Sequence, residues 1–241
     1  MNKKKLFLYL LLGLTFVIMS SPMVYGQLYW ESEMVTGGIP EGLPKNLPKE
    51  VRDQMLAQFK ARTETTKNYL TSFASRVETG DGVMIIDFET MTMYQLNPKE
   101  KTYIKVSNTE MEQMSKGMSE EMDWTPTKET KKISGYQCRK YKVTVMGVEN
   151  EHWLSKEVKE YKEFKAITEK VIQKNPTLGK NQIFGLLSLY KEGFPVQTMS
   201  NVMGMKTTMT LLKIEKKSLS KDLFKVPKGY EQRELGMPLQ K

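Results

Sequence analysis

Alternation of apolar and polar positions is the strongest signal in this chain. It is clearest between Ile133 and Leu154, where Tyr141, Val143 and Val145 alternate with Lys140, Lys142 and Thr144. That period of two is expected of a strand with one buried face. Gly147 predicts a turn, and Val148 to Leu154 an antiparallel partner carrying Trp153. Tyr136 and Cys138 differ in parity from Tyr141, so a bulge or bend near Arg139 is expected to bring all of them to one face.

The same reading extends along the chain. QLYWESEMVT (27–36) predicts a first strand ended by Gly37 and Gly38. Pro40, Pro44 and Pro48 exclude regular structure up to a short helix in which Val51, Met55 and Phe59 form an apolar stripe. Residues 67–106 predict a meander of NYLTSFASRVE, VMIIDF, MTMYQL and TYIKVS, broken at Gly80-Asp81-Gly82, near Glu89-Thr90 and at Asn97-Pro98-Lys99-Glu100. TKETKKI (127–133) predicts an edge strand leading into the hairpin. FPVQTMSNVM, KTTMTLLKIEKKSL and LFKVPKGY predict the closing strands, with a turn at Gly204.

Three further segments carry helical periodicity. Asn108 or Thr109 predicts a cap, with Glu112 three residues beyond Thr109 as in a capping box. Met111, Met114, Met118 and Met122 then fall within an arc of about 80°. Such a stripe can pack onto a core, line a site for a variable apolar ligand, or bind cuprous ion through thioethers. Ser155 predicts a cap for a helix burying Val158, Tyr161, Phe164, Ile167 or Thr168, and Val171, stopped at Asn175-Pro176. GKNQIFGLLSLYKEG (179–193) predicts a very apolar helix closed by Gly193 and Pro195. About eight strands with three or four amphipathic helices and no βαβ alternation predict an α+β fold with helices on one sheet face.

The start of the chain changes the expected address. MNKKK precedes LFLYLLLGLTFVIM, an apolar run of about 14 residues, against roughly 20 for a bilayer span. Val24 and Gly26 suit a cleavage site, so residues 1–26 predict a signal peptide and 27–241 a single domain in the periplasm or otherwise outside the cytoplasm. An uncleaved anchor is the alternative. No Cys follows the run, so no lipid anchor is expected at the new N-terminus. Removal takes Lys3, Lys4 and Lys5 and no acid, leaving 215 residues and lowering the formal charge from +9 to +6. Outside the cytoplasm that excess points to anionic membrane surfaces, cell-wall polymers or plain solubility, and not to nucleic acid.

Candidate chemistry is sparse. Cys138 is the single cysteine, which excludes an intramolecular disulfide. It reads as a small buried hydrophobe, or as a reactive thiol beside Arg139 and Lys140. His152 is the single histidine and reads as a half-exposed strand residue, without the partners that triads, zinc sites or general bases need. The acids lie in Lys-Glu surface pairs such as Lys156-Glu157, and GGIPEG is broken by Pro40 as a phosphate loop. No enzyme activity, catalytic residue, cofactor or metal is therefore expected, although two scattered carboxylates could still meet in the fold as a hydrolase pair.

KETKKISGYQCRKYKV, the EHWLS strand that follows it and the C-terminal LFKVPKGY together resemble an exported bacterial family of unknown function, of the DUF4412 type, whose fold belongs with the LolA/LolB lipoprotein carriers. The resemblance implies a curved antiparallel sheet, an incomplete β-barrel with helices covering its concave face and an apolar cavity beneath. It supplies no catalytic residues. The many methionines and the helical insertion from Lys156 to Glu192 depart from the classical carriers. The expected lining is Met84, Ile86, Met93, Met114, Met118, Trp124, Tyr141, Trp153, Leu186 and Phe194. The expected function is a carrier or sensor of a lipid or other hydrophobic ligand. The alternatives are a structural or protein-interaction module of the cell envelope and, behind it, a methionine-based cuprous-ion buffer.

Overall fold

The computed structural model describes residues 26–38, 48–58, 60–116, 123–145, 148–175, 182–202 and 204–234. Expectations for the leader, Pro40, Pro44, Phe59, Met118, Met122, the Gly147 turn and Pro176 lie outside them. In chain order the described elements are β1 (Gln27–Gly38), α1 (Lys49–Gln58), β2 (Arg62–Thr71), β3 (Ala74–Glu78), β4 (Val83–Asp87), β5 (Thr92–Asn97), β6 (Thr102–Val106) and α2 (Asn108–Lys116). They continue with β7 (Asp123–Ile133), β8 (Tyr136–Val145), β9 (Val148–Ser155), α3 (Tyr161–Lys174), α4 (Gln182–Leu189), β10 (Phe194–Val202), β11 (Met205–Lys216) and β12 (Glu231–Arg233).

All twelve strands join one sheet in the order β12-β6-β5-β4-β3-β2-β1-β11-β10-β9-β8-β7. Neighbours are antiparallel except β12, which pairs in parallel with β6. The order leaves β12 and β7 as free edges, so the sheet is open. As expected, β7 is an edge strand.

Four expectations are corrected in detail. The segment 68–78 is two strands, because the Thr71 hydroxyl accepts from the Ala74 amide and closes a turn at Ser72-Phe73. The capping box of α2 is Ser107 with Glu110: the Ser107 amide and hydroxyl donate to the Glu110 carboxylate at 2.7 and 2.5 Å, two residues earlier than the Thr109–Glu112 spacing suggests. Ser155 accepts from the Glu157 amide in a local turn, and α3 begins only at Tyr161. LFKVPKGY begins in a 3-10 turn at Lys221–Phe224 and continues through a bend at Lys225 and a turn at Lys228-Gly229, and the last strand is the polar EQR beyond it.

The hairpin supplies a fifth correction. Pairing between β8 and β9 runs without a break from Arg139–Leu154 to Val145–Val148, and the register shift falls in β7 between Pro126 and Thr130. The parity difference in β8 is therefore real. Cys138 packs in one core cluster, with Tyr136 against it, while Tyr141 and Val143 pack in another on the opposite face.

The largest cluster gathers around α3. Its buried stripe Tyr161, Phe164, Ile167, Thr168 and Val171 matches the expected periodicity. Leu28, Leu70, Phe194, Val196 and Leu211 join the cluster from four central strands, and Phe88 and Met91 join from the β4–β5 turn. Helix α3 is tied at both ends: Lys216 pairs with Glu163 at 2.6 Å, and Asn175 donates to the Phe88 carbonyl at 2.8 Å. The sheet curls around this packing. On a flat sheet β8 and β11, three places apart, would be separated by roughly 14 Å, yet the Ser134 hydroxyl at the head of β8 donates to the Leu211 carbonyl of β11 at 2.7 Å.

The opposite face of β2–β6 carries a second cluster. Ala74, Val83, Ile85 and Leu96 pack there against Leu219 and Phe224 of the C-terminal segment. Arg76 donates to the Leu223 carbonyl at 3.0 Å and Phe73 meets Phe224 edge-on at 5.4 Å, so the segment is fastened by both polar and aromatic contacts. Cover on this face was not legible as such in the sequence.

Candidate functional site

Register locates the site. Leu70, Ser75, Ile86, Met93 and Val106 stand opposite one another across β2–β6, and Leu70 and Ile86 pack with the α3 cluster. Two residues along each strand lies the next row: Asn68, Val77, Met84, Gln95 and Ile104. This row shares the face that α3 covers, because side chains at i and i+2 of a strand point the same way. Here the face opens into a cleft of about 630 Å³ lined by Val77, Met84, Met93, Gln95 and Ile104. The volume lies within the range of small-molecule sites.

The floor of the cleft is aliphatic and thioether, and its rim is polar. Met84 keeps 38% of its surface exposed, although Val83 and Ile85 on either side of it are buried against the C-terminal segment. Arg233 closes one side from β12 and pairs with Glu100 at 3.2 Å. Asp81 and Glu234 add acid at the rim. Its charges are thus mixed, with no unbalanced cationic cluster for an anion.

The residues expected to line one cavity lie in three places. Met84 and Met93 line the cleft, and Ile86 is half-buried where the cleft meets the α3 cluster. Trp124 and Tyr141 come together with Val143 and Leu154 beneath Leu186 and Leu189 of α4, the Trp124 and Tyr141 rings 5.9 Å apart. Trp153 and Phe194 are core residues of the α3 cluster, where Phe194 meets Phe164 at 4.9 Å and Trp153 is flanked by the Lys131 and Lys140 ammonium groups, each 5.8 Å from its ring. The side chain of Met114 and the whole of Met118 lie outside the described residues. Met111, the first of that stripe, is buried.

Sequence reasoning missed Val77, Gln95, Ile104 and Arg233. Alternation in β4–β6 marks Met84, Met93 and Ile104 as facing away from Val83, Ile85, Leu96 and Tyr103, but only the register sets them side by side. Space beneath α3, where a hollow was expected, is filled by Phe164, Ile167 and Val171. Among the described residues, the cleft at Met84 and Met93 lies beyond the reach of that helix.

Two single-copy residues are also placed. Cys138 is buried, and burial pushes its thiol up to about 11, which suits the packing role over the reactive one. His152 is 6% exposed, not half-exposed, and burial pushes its pKa down to about 4. Among the described residues no group of three or more His, Cys, Asp or Glu side chains is placed to hold a metal ion.

A family model for a domain of unknown function (DUF4412) matches residues 47–230. No curated protein matches the chain. Among solved structures, PNGF-II is similar at 15% identity and a TM-score of 0.43, over 87% of this chain and 31% of that one. A second crystal form of PNGF-II gives 14% and 0.40, over 86% and 32%. This chain thus spans about a third of the PNGF-II chain. A domain assigned to outer membrane lipoprotein sorting in Vibrio parahaemolyticus is similar at 10% identity and a TM-score of 0.34, over 83% of this chain and 89% of that one.

Proposed function

The chain belongs to the DUF4412 family of domains of unknown function, and from that premise we propose that it is an exported, non-enzymatic carrier or sensor of a lipid or other hydrophobic ligand. The observation that carries the proposal is the cleft of about 630 Å³, whose floor includes Val77, Met84, Met93 and Ile104, with Met84 38% exposed. Burying an acyl chain there contributes roughly 0.8 kcal/mol per methylene, so a long chain needs few polar contacts to bind. Two methionines in the floor suit ligands of variable shape, because the unbranched thioether adapts to its partner. The cationic leader and apolar run support a site of action in the periplasm or otherwise outside the cytoplasm. Anionic membrane surface and an envelope protein are the partners this reading provides for.

The test is native mass spectrometry of protein purified without detergent, paired with titration of a fluorescent fatty-acid probe. Co-purifying acyl species, and probe binding lost in a Met84→Lys/Ile104→Lys variant, support the reading. Empty spectra together with no probe uptake sink it. The second reading, a structural or protein-interaction module of the envelope, is favoured by one observation: the face beneath α3 is packed by the protein's own side chains. Empty spectra would pass the role to it.

A further inference from the structure

His152 lies on a continuous row of the sheet. It stands directly opposite Tyr141 of β8 on one side and Thr198 of β10 on the other, so the three side chains share a face. The cover over that face is the end of α4 and the 3-10 turn after it: Leu186 and Leu189 pack on Tyr141 and Val143, and the Tyr190 ring lies 6.2 Å from the imidazole. Nδ1 of His152 is fully buried and has no hydrogen-bond partner among the described residues. A neutral imidazole has one donor nitrogen and one acceptor, so one of these two capacities goes unused. Leaving such a group unsatisfied costs about 1–3 kcal/mol, and phenylalanine would fill a similar space without that cost. Tyr141, Thr198 and Tyr190 are its nearest side-chain neighbours by register and ring contact, yet none of their hydroxyls bonds Nδ1, and the cluster that Tyr141 joins beneath α4 is otherwise apolar, with Trp124, Val143, Leu154, Leu186 and Leu189.

We propose that the compartment beneath α4 is a second ligand subsite, in which Nδ1 of His152 takes the single hydrogen bond of a neutral amphiphile bearing a hydroxyl or a carbonyl, with α4 as the displaceable cover. This rests on the reading of the protein as a binder of apolar ligands and names the polar group it recognises. Helix α4 is eight residues long and, among its described side chains, packs through Leu186 and Leu189 on the Tyr141 cluster and through Leu187 on the α3 cluster. Its C-terminal end is anchored, because Tyr161 donates to the Lys191 carbonyl and Lys156 reaches Glu192 at 3.5 Å. Displacement therefore proceeds from the Gln182 end. The ligand's apolar part replaces the leucines, and its polar group makes the bond that the ligand-free protein leaves unmade. Because burial keeps the imidazole neutral down to about pH 4, recognition is of a dipole and is level between pH 6 and 8.

The experiment compares oleyl alcohol with octadecene, the same chain length with and without the hydroxyl, by native mass spectrometry on the full chain, for wild type, His152→Phe and His152→Gln. Wild type is expected to prefer the alcohol by about five- to tenfold, the worth of one hydrogen bond. His152→Phe should retain octadecene binding and lose the preference, while His152→Gln, which keeps a donor and an acceptor, restores part of it. Thermal melting shows that each variant is folded, and His152→Phe should melt no lower than wild type. Wild type binding both probes equally, or His152→Phe keeping the preference, overturns the proposal and leaves the carrier reading standing. Wild type binding neither probe overturns both.

Discussion

In β8 and β9 both faces are buried, with Cys138 and Trp153 in the α3 cluster and Tyr141, Val143 and Leu154 beneath α4. In β4 and β5 one face is buried, Val83, Ile85 and Leu96 against Phe224, while Met84 and Met93 on the other border the open cleft. Both hairpins pair antiparallel, and β4–β5 is the richer of the two in apolar residues, so the difference lies in what the chain lays over them. Helix α4 and the 3-10 turn after it reach the Tyr141 face of β8–β9. Helix α3 ends at the Phe88 carbonyl, short of Met84. An apolar face that receives no cover is the place where a ligand gains most by binding.

The comparison breaks most sharply under truncation at its packed end. Phe164→Ala should cost about 3–5 kcal/mol in denaturant unfolding, because the ring is 3% exposed and wedged between Trp30, Phe194 and Tyr190. If the loss is below about 1 kcal/mol, the α3 face is looser than described and the contrast with the cleft disappears. Acid comes next. Burial lowers the pKa of His152 from 6.5 to about 4, so the unfolded chain binds the proton more readily. Its contribution is fully present above pH 6.5 and is lost as pH falls toward 4, up to roughly 3 kcal/mol. His152→Phe should flatten that part of the stability–pH curve, and an unchanged slope would assign it to carboxylates.

Smaller effects sharpen the open end. Ser107→Ala removes the cap of α2 and should cost about 1 kcal/mol, read as a shift in denaturation midpoint with unchanged slope. A loss near zero would mean that Glu110 alone satisfies the helix start. Met84→Ala should change stability by less than about 0.5 kcal/mol, because the side chain is already part-exposed. The same substitution should weaken the fatty-acid probe measurably, and a variant that lost stability without losing probe affinity would make Met84 a packing residue.

Much of the fold was legible because it depends on local chemistry. The 3.6-residue stripe of α3 from Tyr161 to Val171, the turns at Gly80-Asp81-Gly82 and Gly204, and the lysine-rich edge strand before Ile133 each express a preference that neighbouring residues settle among themselves. Where these readings failed, a local preference met a tertiary partner. LFKVPKGY has the composition of a strand, but it caps the outer face of β2–β6 and leaves pairing with β6 to the polar EQR. The parity break in β8 looked like a bulge because burial on both faces cannot be inferred from one strand.

The candidate site shows the same division. Alternation alone sets Met84 and Met93 apart from Val83 and Ile85, so the residues of the cleft floor were within reach of the sequence, and their grouping was not. Which strands become neighbours, and how far α3 extends over them, follow from contacts between residues more than 80 positions apart, such as Asn175 with Phe88. The amino-acid order by itself determined periodicity, capping and charge, which act over a turn or a strand pair. Cover and vacancy on the sheet were decided only when the chain folded back on itself, because burial belongs to pairs of surfaces and not to single segments.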